Sequence, residues 1–110
     1  EFLGEGDVVW HGAEPGMPDF SPESQLLAFA LDGARTGREA GPDIFILMWA
    51  GRAPMTFLVP PSPTGRAWRR VIDTGLPSPE DIVDFGMGPH VDAGARYRVW
   101  DRSLIVLSTD

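Results

Sequence analysis

Glycine and proline cut this chain into pieces that suit short strands far better than long helices. There are 13 glycines and 11 prolines among 110 residues, and they punctuate a series of short apolar runs. Runs of this kind, bounded by turn residues, read as β-strands. They fall at Asp7–Trp10, Gln25–Leu31, Asp43–Trp49, Met55–Val59, Trp68–Asp73, Arg96–Trp100 and Leu104–Ser108. An all-β fold follows: an antiparallel β-sandwich of about seven or eight short strands. One short helix is expected over Leu76–Val83. Ser78 would cap it, Pro79 would take the first helical position, and Glu80 and Asp81 would favour its first turn. Gly86 and Gly88 would end it.

Two of the runs are apolar on both faces. In Gln25–Leu31 one face carries Leu27, Phe29 and Leu31, and the other Leu26, Ala28 and Ala30. In Asp43–Trp49 the faces are Phe45, Leu47 and Trp49 against Ile44, Ile46 and Met48. The outer strand face of a simple sandwich is normally polar. Both faces here therefore call for a cover, one of them from beyond the sandwich. The expected core is Leu27, Phe29, Phe45, Leu47, Phe57, Val71, Val99 and Val106.

A length of 110 residues suits one domain, large enough for one core without staples. The formal net charge of −7 sets the chain against phosphate backbones and anionic membranes, so neither nucleic acid nor a membrane is an expected partner. No apolar run is long enough to span a bilayer as a helix. The chain has no cysteine, which removes disulfides and thiolate metal sites and fits a cytoplasmic protein. It starts at Glu1 rather than at a methionine, as a piece of a longer polypeptide would.

Residues able to carry chemistry are scattered. His11 and His90 are isolated, whereas a zinc site draws on three or four close ligands. Gly86-Met87-Gly88 lacks the spacing and following helix of a phosphate loop. Asp81 and Asp84 read as a solvated helical turn, and Asp7, Asp43 and Asp73 as strand-end turn formers. No catalytic residue, metal or cofactor is expected. Trp10, Trp49, Trp68 and Trp100 lie in or beside strands, where a tryptophan normally packs into the core. The candidates for sugar stacking are Trp49 and Trp68. Trp68 is the less natural core residue, with Arg69 and Arg70 beside it to form a cation–π contact.

An ordered set of stretches resembles the C-terminal part of isoamylase-type glycogen-debranching enzymes, in the α-amylase superfamily of glycoside hydrolases. Asp7-Val8-Val9-Trp10-His11-Gly12 comes first, then Pro18-Asp19-Phe20-Ser21 and Ser24-Gln25-Leu26-Leu27-Ala28-Phe29. Asp43-Ile44-Phe45-Ile46 and Pro54-Met55-Thr56-Phe57 follow. The most specific piece joins Trp68-Arg69-Arg70-Val71-Ile72-Asp73-Thr74 to Leu76-Pro77-Ser78-Pro79-Glu80-Asp81-Ile82. Tyr97-Arg98-Val99 and Arg102-Ser103-Leu104-Ile105-Val106-Leu107 close the set. The chain departs from the family at Trp49-Ala50-Gly51-Arg52, where relatives carry an aromatic pair, and at Phe20, where they carry tryptophan.

The resemblance implies a parent enzyme that hydrolyses α-1,6 branch linkages in glycogen or related glucans, with retention. Its catalytic carboxylates would sit on a (β/α)8 barrel, which takes about 250 residues. This chain cannot hold one. The implied role is a non-catalytic C-terminal domain that caps and stabilises the barrel of the same polypeptide and meets α-glucan through the parent enzyme. Residues 1–20 would be the junction after the barrel, with Trp10, His11 and Phe20 as docking residues, and 21–110 the sandwich. Two other readings stay open: a carbohydrate-binding module holding glucan near the active site, and an unrelated immunoglobulin-like interaction module.

Overall fold

A computed structural model describes residues 8–12, 25–33, 42–84 and 86–109. Its strands are β1 (Val8–His11), β2 (Leu26–Leu31), β3 (Ile44–Trp49), β4 (Met55–Leu58), β5 (Trp68–Asp73), β6 (His90–Val91), β7 (Arg96–Val99) and β8 (Ser103–Thr109). They form a six-stranded sheet in the order β1-β2-β3-β8-β5-β6 and a two-stranded sheet of β4 and β7. Every pairing is antiparallel. The architecture is the all-β antiparallel sandwich that the short runs predict. The two-residue strand β6 is not among the apolar runs read from the sequence.

The small sheet packs on one face of the large one. Phe57 of β4 stacks on Phe45 of β3 with ring centroids 5.7 Å apart, and Trp68 of β5 meets the same Phe45 at 6.1 Å. Ala28, Ala30, Leu47, Val59, Val99, Ile105 and Leu107 complete the buried cluster. Directly opposed residues of an antiparallel pair share a face. Ala30 stands opposite Phe45, and Ala28 opposite both His11 and Leu47. Small residues on β2 thus make room for bulky neighbours on β1 and β3.

This arrangement corrects the expected core. Phe45, Leu47, Phe57, Val71 and Val99 are buried as predicted, but Leu27 is exposed and Phe29 and Val106 are half-buried. In β2 the inward residues are Ala28 and Ala30, and in β8 they are Ile105 and Leu107. A strand apolar on both parities leaves its phase undetermined, and packing volume around Phe45 chooses it.

Trp68 is likewise corrected: it is almost fully buried, and its indole N–H donates to the Pro60 carbonyl at 2.7 Å. Neighbours along a strand point to the opposite face, so Arg69 says nothing against Trp68 being core. A register irregularity between Arg70 and Ile72 then lets Val71 and Asp73 turn inward as well.

The short helix does not form. Residues 78–81 make a turn, and Ile82 bridges to Ile72 of β5. Asp73 N–H donates to Asp81 O at 2.8 Å and Val83 N–H to Val71 O at 2.9 Å. Backbone groups that a helix would pair internally are taken up by the strand beside them.

Candidate functional site

The far face of the six-stranded sheet carries an apolar row. Trp10 of β1 stands opposite Phe29, Phe29 opposite Ile46, Ile46 opposite Val106, and Val106 opposite Ile72. The bridge from Ile72 to the exposed Ile82 continues it. A second row runs from Leu27 through Met48 to Leu104. Solvent reaches 43% of Trp10, 36% of Leu27 and 42% of Met48. The Trp10 and Phe29 rings lie 5.4 Å apart, tilted by 54°. Contiguous exposed apolar surface of this kind makes this face a candidate for interaction.

The expected docking residues separate here. Trp10 lies on this outer face. His11 is buried on the opposite one, its ring 6.1 Å from Phe45, and burial holds its pKa below the ordinary value. Phe20 lies outside the described residues. Val8–His11, within the expected junction 1–20, pairs with β2 as an edge strand of the sheet.

At one end of the second row, Met48 and Leu104 meet Trp49, Thr74, Arg102 and Ser103 around an open pocket of about 440 Å³. The Trp49 indole N–H donates to Ala53 O at 2.8 Å. Gly51 lies hard against its ring: a Cβ there would fall 2.0 Å from Cζ2. Arg102 is exposed, with φ of 50°. The cation–π contact expected at Trp68 occurs instead at Trp100, whose ring lies 5.1 Å beneath the Arg98 guanidinium.

Two strand-end aspartates turn out to be buried hubs. Asp43 accepts hydrogen bonds from Gly33 N–H at 2.8 Å, Thr64 N–H at 3.1 Å and the Thr64 hydroxyl, and pairs with Arg66 at 3.3 Å. Burial pushes its carboxyl pKa up, but these hydrogen bonds and the Arg66 charge outweigh it and hold the pKa below the ordinary value. Asp73 accepts from Gly75 N–H at 3.0 Å and from the Tyr97 hydroxyl. Turn-forming Asp was legible in the sequence, but not the partners that bury it. Among the described residues no cluster of three or more His, Asp or Glu is placed to hold a metal ion.

The chain matches the family model described as isoamylase 1-3, C-terminal, over residues 9–106. It belongs to that family. The chloroplastic isoamylase 3 of Oryza sativa subsp. japonica is 36% identical over 106 residues, covering 96% of this chain and 12% of that protein. The chloroplastic isoamylase 1 of the same plant is 35% identical, over 67% of this chain and 8% of its own length. The chloroplastic isoamylase SU1 of Zea mays is 31% identical, over 73% and 9%. This isoamylase C-terminal domain thus spans about a tenth of the curated relatives it matches.

Those names correct the expected cytoplasmic location, since each of the three is a plastid protein by name. Lack of cysteine argues at best against an oxidising compartment and cannot separate cytosol from plastid.

Proposed function

We propose that this chain is the non-catalytic C-terminal domain of a debranching enzyme that hydrolyses α-1,6 branch linkages in glucans. The outer face of its six-stranded sheet caps and stabilises the catalytic barrel of the same polypeptide. The observation that carries this reading is the row from Trp10 through Phe29, Ile46, Val106 and Ile72, flanked by Leu27 and Met48. An apolar sheet face gains free energy by leaving water, at roughly 25 cal/mol per Å². A seam within one polypeptide buries about 600–1,500 Å². Residues 1–20 serve as the junction, and Val8–His11 within them forms β1. Family membership supports the debranching reaction, and the great length of the relatives leaves ample chain for a barrel. The carbohydrate-binding alternative draws on the end pocket, which shares Met48 and Leu104 with the margin of this face.

The test adds the domain in trans to a parent enzyme truncated before it, and follows co-elution and the thermal midpoint of the mixture. The wild-type domain should bind and raise the midpoint, and Leu27→Glu should abolish both effects. Absence of association, or association indifferent to Leu27→Glu, contradicts the proposal.

A further inference from the structure

The pocket at the β3–β8 end combines groups that packing alone does not call for. Arg102 holds φ at 50°, a region that costs any residue but glycine or asparagine. Its N–H closes onto Gly51 O at 3.0 Å, which fixes the turn and keeps the exposed side chain beside the pocket. Glycine would serve that turn at lower cost. A long cation in its place is therefore not explained by the turn.

Trp49 presents the pocket with an aromatic surface that is already oriented. Its N–H is bound to Ala53 O, and Gly51 packs closely against the ring and restricts it. The Thr74 hydroxyl accepts from Leu104 N–H at 2.9 Å and keeps its own proton to donate. Among the described residues no carboxylate lines the pocket. An aromatic surface, two apolar side chains, a guanidinium and hydroxyls match a sugar ring, which has an apolar C–H face and hydroxyls at its rim. Arg102 alone would also suit an anion, but a chain of net charge −7 repels anions and is indifferent to a neutral sugar.

We infer that this pocket binds a neutral α-glucan chain, one ring packing on Trp49 with its hydroxyls on Arg102 and Thr74. The choice of α-linked glucose rests on the debranching reading, whereas the choice of a sugar rests on the pocket itself. Binding is expected to be weak, with a dissociation constant on the order of 1 mM, because one open pocket covers only part of a ring.

The experiment titrates this chain with maltohexaose and, in parallel, with cellohexaose, following the Trp49 indole resonance assigned from a Trp49→Phe sample. Maltohexaose should shift that resonance saturably, and cellohexaose should not. Arg102→Gly relieves the backbone while removing the guanidinium, so it should raise the thermal midpoint yet weaken maltohexaose binding at least about fivefold. Thr74→Val should weaken binding in a chain that still folds. No saturable shift, an equal response to cellohexaose, or binding untouched by Arg102→Gly and Thr74→Val overturns the proposal. Any of these with the Leu27-dependent docking intact leaves the capping role standing.

Discussion

Tyr97 donates its hydroxyl proton to the buried carboxylate of Asp73, and this bond ties the two-stranded sheet to the six-stranded one. The Tyr97 ring also packs at 5.4 Å from Phe57. Burial, then the bond to Asp73 and its charge, push the phenol well above its ordinary pKa.

Removing the hydroxyl should loosen the clasp between the sheets. Tyr97→Phe leaves a buried carboxylate one donor short, at a cost of about 1.5–3 kcal/mol for a hydrogen bond to a charged group. Urea unfolding at neutral pH checks the figure. The same bond predicts alkaline behaviour. A phenol whose folded pKa is raised contributes stability that is complete below its unfolded value of about 10 and is lost as the pH rises beyond it. Tyr97 is the single tyrosine, so the phenolate absorbance of the folded chain should stay flat through pH 10 and rise on unfolding.

Asp43 sets the acid limit. Its folded pKa is depressed, so its stabilisation is complete above the unfolded value of about 3.9 and lost as the pH falls through the folded value. Asp43→Asn should destabilise the chain by about 2 kcal/mol or more at pH 7, since an amide cannot accept from all four donors. The gap between wild type and variant should close as the pH drops below about 4, measured as unfolding free energy against pH.

Gly88 is held where a side chain has no room. A Cβ there would fall 1.8 Å from the Arg70 carbonyl oxygen, which is backbone and cannot swing aside. The Gly88 carbonyl also accepts from the Arg69 guanidinium at 2.8 Å. Gly88→Ala should cost about 1–3 kcal/mol by overpacking and lower the protection of the Arg70 amide, which donates to Pro89 O. Hydrogen exchange reads both effects.

The two faces of the large sheet should answer oppositely to truncation. Phe45→Ala removes the ring that Phe57 and Trp68 pack on and should cost about 3–5 kcal/mol. Leu27→Ala, on the outer face, should cost under about 1 kcal/mol in this chain. Paired chemical denaturation curves decide it.

Strand positions were legible because Gly and Pro bound the runs, and β2, β3, β4, β5, β7 and β8 fall within a residue of their sequence readings. The face of each strand was legible where a bulky residue had one place to go, as at Phe45 and Phe57. It was not legible in β2 and β8, where both parities are apolar and Ala28 and Ala30 go inward opposite the bulky Leu47 and Phe45 of β3. The apolar outer face was legible from the same double apolarity. Of the residues in the proposed sugar pocket, Trp49 was a candidate from sequence and Arg102 was not. Its signal is a backbone angle, and no local pattern announces a positive φ at arginine. The helix over Leu76–Val83 failed because capping signals are local, while β5 offered the segment pairing partners.

Trp10 tests the capping role most directly, because it lies on the outer row, tilted against Phe29, rather than in the core cluster. The measurement is the thermal midpoint of Trp10→Ala against wild type, in this chain and in the full-length enzyme. The account predicts a small drop in the chain and a clearly larger one in the full enzyme, where the seam is lost as well. A large drop in the chain with no added effect in the full enzyme would make Trp10 part of the sandwich's own core and contradict the docking of this face.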